Sequence, residues 1–223
     1  MSVSINQAII YVKLPRPCEL PLNMDEIRVI KEAQKGSLAA FNQLVMAYQG
    51  TAYNVAYRVI GNREAAADAC QEAFLKAYKA IKQYKGGAFK SWLMRIVTNT
   101  CYDQIRYKSR RPATSLEDLS ENPNDHSDKL VNGGERPEER VLRGELGDLI
   151  QKGIAQLPED QRIALVLSDI QGFSYQEIAD IIGQPLGTVK SRLNRGRRRL
   201  RDLLMTQKEL LPSQYRLNDK RIS

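Results

Sequence analysis

At 223 residues the chain has room for one domain or two small ones, and a hydrophobic fraction of 42% suits a globular core. Lys and Arg number 34 against 26 Asp and Glu, and the net charge of +8 favours polyanionic partners such as nucleic acid or an anionic membrane surface. No apolar run approaches the ~20 residues of a bilayer span, one His and three scattered cysteines (Cys18, Cys70, Cys101) give no metal-ligand spacing, and no nucleophile–base set or phosphate-cradling glycine loop occurs, so no cofactor is expected.

Residues 1–24 carry three prolines and little periodicity, and read as a loose tail. Their apolar patch, Ile9 to Val12, lacks the basic start and long apolar stretch of a signal peptide, so the expected location is the cytoplasm. From Asp25 the text is helical. Gly36-Ser37 ends a short helix and caps the next, which runs from about Leu38 to Ile60 and stops at Gly61-Asn62. Asn62 is a good N-cap for a third helix reaching about Gln83. Its Ala66, Cys70, Ala73, Ala77 and Ile81 recur at helical spacing and predict one buried stripe, and Cys70 and Cys101 are read as small core residues. After the loop Lys85-Gly86-Gly87 a fourth helix runs from about Phe89 to Tyr107, with Phe89, Trp92, Leu93, Ile96, Val97 and Ile105 as its apolar face. These elements predict a helical bundle over residues 25–112.

Residues 113–143 hold many acids and few hydrophobics, too few to offset the ordering entropy, and read as a flexible acidic linker. A second helical domain is expected over 144–205. Leu149, Ile150, Ile154 and Leu157 mark its first helix. Pro158 opens the next at a first helical position, with Leu165, Val166 and Ile170 inward, and Gly172 ends it. Residues 206–223 form a polar, basic tail. The expected fold is therefore all-α, two small helical domains joined by a linker.

The second domain carries the strongest pattern. Ser174 and Glu177 have capping-box spacing, Gly183 suits a left-handed C-cap, and Pro185 opens another helix almost at once. Two helices across a short glycine turn make a helix-turn-helix. In the second of them Val189, Leu193, Gly196 and Leu200 form an inward stripe. The opposite face carries Lys190, Ser191, Arg192, Asn194, Arg195, Arg197, Arg198, Arg199 and Arg201, a like-charge density that phosphate would relieve. Lys190, Ser191, Arg192 and Arg195 are placed to read bases, with Ser174, Tyr175 and Thr188 beside them. Arg198, Arg199 and Arg201 suit phosphates.

The first domain has its own candidate face. Arg95, Asn99, Tyr102 and Arg106 step by four, three and four along the fourth helix, opposite Trp92 and Ile96, with Tyr84 and Lys85 before it and Tyr107, Lys108, Arg110 and Arg111 after. Aromatics interleaved with cations suit unpaired DNA, because bases stack on rings while cations follow the backbone. Tyrosines that only close the bundle are the plainer alternative, and Trp92 is read that way. Asp68, Gln71, Glu72 and Lys76 form a polar face on the third helix that is consistent with simple solvation.

Five segments, in order, resemble the extracytoplasmic-function (ECF) sigma factors, sigma-E-like group. They are Asp68 to Phe74, Phe89 to Asn99, Leu157 to Arg162, Tyr175 to Ala179 and Gly187 to Arg192. The resemblance spans about residues 25–205. It implies that the first domain is region 2, reading the minus-ten element through Tyr84, Lys85, Arg95, Asn99, Tyr102, Arg106, Lys108, Arg110 and Arg111. It implies that Asp68, Gln71, Glu72 and Lys76 grip the beta-prime clamp of core RNA polymerase. The second domain is implied to be region 4, reading the minus-thirty-five element and resting on the beta flap. Further implications are a stress or envelope-response regulon, an anti-sigma partner that is often membrane-anchored, and a chain that is monomeric when free. The loop Lys85-Gly86-Gly87-Ala88 is short for the family, and both tails lack a counterpart. A stand-alone helix-turn-helix regulator would not need the Asn99 and Asp68 faces. A decoy that only sequesters an anti-sigma factor would not need the basic helix.

Overall fold

The computed structural model describes residues 25–110 and 137–206. Their elements are α1 (Glu26–Gln34), α2 (Leu38–Ile60), α3 (Arg63–Ala80), a 3-10 turn (Ile81–Gln83), α4 (Phe89–Arg110), α5 (Pro137–Ala155), α6 (Glu159–Leu165), a π turn (Val166–Ile170), α7 (Tyr175–Ile182) and α8 (Leu186–Thr206). No strand occurs among the described residues. The tails, Arg111 and most of the acidic segment lie outside them. The helix opening the second unit begins at Pro137, inside the stretch read as linker. Composition misled there: Pro137 followed by Glu138 and Glu139 is also a favourable helix start, since Pro lacks only an orphan N–H and acids oppose the helix dipole.

Side chains set the element ends. The Ser37 side chain accepts from Ala40 N at 3.2 Å and that of Asn62 from Ala65 N at 2.8 Å, each satisfying an orphan donor. Gly61, at φ +83°, ends α2 in the left-handed region that suits Gly. Pro158 sits one position earlier than expected, as the N-cap of α6, where its carbonyl accepts from Gln161 and Arg162. The stripe Ala66, Cys70, Ala73, Ala77 and Ile81 is buried throughout. Small residues there let α3 lie close against α2 and α4. Tyr48 donates to Glu26 and ties α1 to α2.

The two units pack on each other, and their buried apolar residues form one contiguous cluster. α7 lies against α4, and the C-terminal half of α2 meets α5, α6 and the π turn. In the second unit α8 packs on α6 at Gly196, where an added Cβ would come within 3.4 Å of the Gln161 backbone oxygen.

Candidate nucleic-acid interface

The helix-turn-helix forms as its caps require. Ser174 Oγ accepts from Glu177 N at 3.2 Å, and the Glu177 carboxylate accepts from Ser174 N at 2.8 Å. Hydrogen bonds from the Ser174 side chain and then its backbone hold the Glu177 carboxyl below the usual carboxylate range. Gly183, at φ +63°, makes the turn, and the Pro185 carbonyl accepts from Thr188 and Val189 to start α8. Val189, Leu193, Gly196, Leu200 and Leu204 face inward. Lys190, Asn194, Arg195, Arg198, Arg199 and Arg201 are exposed, so α8 presents an extended cationic surface.

Arg197 corrects the reading of that surface. It turns inward, with Nε and Nη2 donating to the two Asp169 carboxylate oxygens at 2.9 and 2.5 Å, Nη1 to Tyr175 OH at 3.0 Å and Nη2 to Ser168 Oγ at 3.2 Å. Asp169 is only 8% exposed in its side chain. These bonds raise the Arg197 pKa further above its already high ordinary value. The π turn Val166–Ile170 carries Asp169 and Ser168 to this position, joining that turn, α7 and α8 at one guanidinium. No periodicity on α8 alone reveals this, because the partner lies 28 residues earlier.

Several other residues of the expected base-reading and phosphate sets are already engaged. Ser174 belongs to the capping box, and Tyr175 OH accepts from Arg197. Ser191 Oγ donates to the Thr188 carbonyl at 2.9 Å. Arg192 pairs with Asp160, Nε to Oδ2 3.1 Å, and is about a quarter exposed. Arg199 is exposed and donates to Gln161 at 3.3 Å.

On α4, Arg95, Asn99, Arg106, Lys108 and Arg110 are exposed, as is Lys85 in the preceding loop. Tyr102 is half-buried with Arg106 over its ring at 5.7 Å. Burial raises its pKa, Arg192 opposes the shift, and Asp160 and Glu159 add to it. Tyr102 therefore faces the second unit. Trp92 does not oppose the Asn99 face: the two are seven residues apart, almost two full turns, so Trp92 borders it. Tyr84, Phe89 and Trp92 form an aromatic cluster with ring centroids 5.3–5.6 Å apart. Tyr84 is fixed twice, its hydroxyl donating to the Gly87 carbonyl at 2.6 Å and its carbonyl accepting from Gln34 at 2.8 Å. The loop Lys85 to Ala88 is thus short and anchored.

On α3, Asp68, Gln71 and Glu72 are exposed on one face. Lys76 bridges to α4, with Nζ 2.9 Å from Glu72, 3.7 Å from Asp103, and donating to Thr100 at 3.3 Å. Sequence reasoning passed over Leu75, which is 62% exposed and lies four residues after Gln71 on that face. A large apolar side chain amid acids was the available signal.

A helical bundle with a cation-flanked aromatic face, packed against a capped helix-turn-helix with an arginine-rich second helix, defines a two-part DNA-binding protein. Comparison with known families places it further. The model of Sigma-70 region 2 matches residues 44–111, and that of Sigma-70 region 4 matches residues 147–200. The RNA polymerase sigma-H factor of Pseudomonas aeruginosa is 38% identical over 174 residues, covering 76% of this chain and 89% of the relative. The ECF RNA polymerase sigma-E factor of Escherichia coli K12 is 38% identical over 170 residues, covering 76% and 88%. Among solved structures, the sigma factor RpoE of Bartonella quintana, in complex with the anti-sigma factor NepR, superposes with a TM-score of 0.57 at 27% identity, covering 74% of this chain and 96% of that one. CnrH, in complex with the cytosolic domain of CnrY, gives 0.57 at 25% identity, covering 82% and 97%. The chain belongs to the ECF sigma factors of the sigma-70 family, sigma-E-like, and is an alternative sigma factor acting in promoter recognition and transcription initiation.

Proposed function

We propose that the labour of initiation divides between the exposed faces of α3, α4 and α8. The observation that carries this is the coincidence, in one all-α chain, of the α8 cationic surface with the Asn99 face bordered by the Tyr84–Phe89–Trp92 cluster. The N-terminal part of α8 enters the major groove of the minus-thirty-five element. Lys190 and Arg195 are free to read base edges there, and Arg192 joins them by leaving Asp160. Arg198, Arg199 and Arg201 neutralise phosphates. Asn99 offers a donor and an acceptor to one unpaired base of the minus-ten element, with Lys85, Arg95, Arg106, Lys108, Arg110 and Arg111 along the backbone. Unstacking costs a few kcal/mol per step, and each base that restacks on an aromatic side chain returns about 1–3 kcal/mol. Trp92 and Tyr84 supply that ring surface, and Tyr102 joins them once it leaves the second unit.

Asp68, Gln71, Glu72 and Leu75 form the core-polymerase surface, and Lys76 props it against α4 rather than touching the partner. Polymerase performs the bond-forming chemistry, and this chain supplies binding only. The solved neighbour RpoE is in complex with the anti-sigma factor NepR, and a protein of that class is the expected regulator here. No helix among the described residues is long and apolar enough to cross a membrane.

Permanganate footprinting tests the opening role. Asn99→Ala should reduce reactive thymines at the start site while binding core polymerase like the parent, and parental opening would remove Asn99 from the mechanism. At the upstream element, Arg195→Ala should lose preference for the specific sequence. Arg198→Ala should weaken all sequences alike and flatten the salt slope by about one unit.

A further inference from the structure

The two longest stretches without a charged side chain are residues 36–57 and residues 1–12, in a sequence that is 27% charged. The first makes up most of α2. The inner face of that helix is core, with Phe41, Leu44, Tyr48, Ala52 and Val55 buried. Its outer face carries Leu38, Asn42, Met46, Gln49 and Tyr53, which step by four, four, three and four and so form one stripe. All five are exposed, Met46 67% and Leu38 59%. Gln49 Nε2 donates to the Met46 sulfur at 3.5 Å. The outer face of a bundle helix normally carries charged residues. This one alternates apolar side chains with amides, and the faces given to DNA and polymerase on α3, α4 and α8 do not include it.

The chain enters the bundle near the midpoint of α2 along its axis, because Tyr48 donates to Glu26, the first residue of α1. Ile27, 67% exposed, adds an apolar side chain at that junction. The helix is about 35 Å long, so either end lies within about 20 Å of its midpoint. Residues 13–24 span up to about 40 Å when drawn out. That spacer can lay residues 9–12 anywhere on the stripe.

We propose that residues 9–12 dock on the outer stripe of α2 and cover it. Ile9, Ile10, Tyr11 and Val12 bring apolar area to Leu38, Met46 and Tyr53. Asn42 and Gln49 offer donors and acceptors to the backbone of the incoming segment. Neither surface carries a charged side chain that burial would strand. The tether favours this occupant over a separate protein, since a segment on so short a spacer acts at an effective concentration on the order of millimolar.

The test uses the free full-length chain. With Tyr11→benzoylphenylalanine, irradiation should give adducts within one molecule on the tryptic peptide 36–58, in a yield independent of protein concentration. Peroxide oxidation of Met46 is followed by mass spectrometry, with the half-buried Met205 as internal reference. It should run at least about threefold faster in an Ile10→Asp, Val12→Asp chain than in the parent. Equal Met46 rates in parent and variant, adducts that join only separate molecules, or adducts confined to other helices would overturn the proposal.

Discussion

Asp169→Asn tests whether the recognition helix is held by one internal ion pair. The substitution keeps the size of the side chain and removes its charge and one of its two acceptor oxygens. The pair is bidentate, with Asp169 8% and Arg197 25% exposed in their side chains. Breaking a fully buried pair costs about 3–5 kcal/mol, and an exposed pair about 0–1. A site this enclosed, with Tyr175 and Ser168 still accepting from Arg197, falls between, at about 2–3 kcal/mol. The assay is a double-mutant cycle in guanidinium denaturation, using Asp169→Asn, Arg197→Gln and both together. The expected coupling is at least about 1.5 kcal/mol, because once one partner is gone, losing the second costs little. Duplex binding at the upstream element should fall as well, although Asp169 touches no DNA, since α8 loses its fixed angle to α7. Arg197→Lys should not rescue it, for an ammonium cannot reproduce the fork. A single-mutant loss below about 0.5 kcal/mol, with no coupling, would refute this reasoning.

Three further outcomes follow from the same structure. Glu177 has a lowered pKa, so its capping contribution is complete above the ordinary glutamate range and is lost as pH falls through the lowered value. The stability gap between the parent and Glu177→Gln should therefore narrow on acidification, and a gap independent of pH would contradict it. Burial pushes the thiols of Cys70 and Cys101 up to about 11 and about 12, so in a Cys18→Ser chain neither should react with a disulfide reagent at mildly alkaline pH until denaturant is added. Leu75→Glu should weaken core-polymerase binding at least tenfold, measured by co-elution, with the unfolding midpoint unchanged because Leu75 is exposed.

Local signals were the legible ones. Ser37, Asn62, Ser174 with Glu177, and Gly183 each announce a helix end through a bond or a dihedral angle a few residues away, and the structure forms all of them. The inward stripes on α3 and α8 follow from the same short period. What escaped depends on residues far apart in the chain. Arg197 lies at the edge of the α8 stripe, and only the position of Asp169 decides that it turns inward. Trp92 reads as core when it is assigned to the apolar face of its helix, whereas its helical phase puts it next to Asn99. Arg58 and Gln151 are 93 residues apart, and no local pattern pairs them. For the Asn99 face the sequence identified the exposed cations and amide, and left out that Tyr102 is covered by Arg106 and the second unit.

The most direct measurement of the central claim is run-off transcription with purified core RNA polymerase, with and without this protein, on templates carrying intact or scrambled upstream elements. Transcripts should start at one position, require the protein, and fall sharply on the scrambled template. Core polymerase that neither retains the chain at modest salt nor gains a defined start site from it would contradict the account.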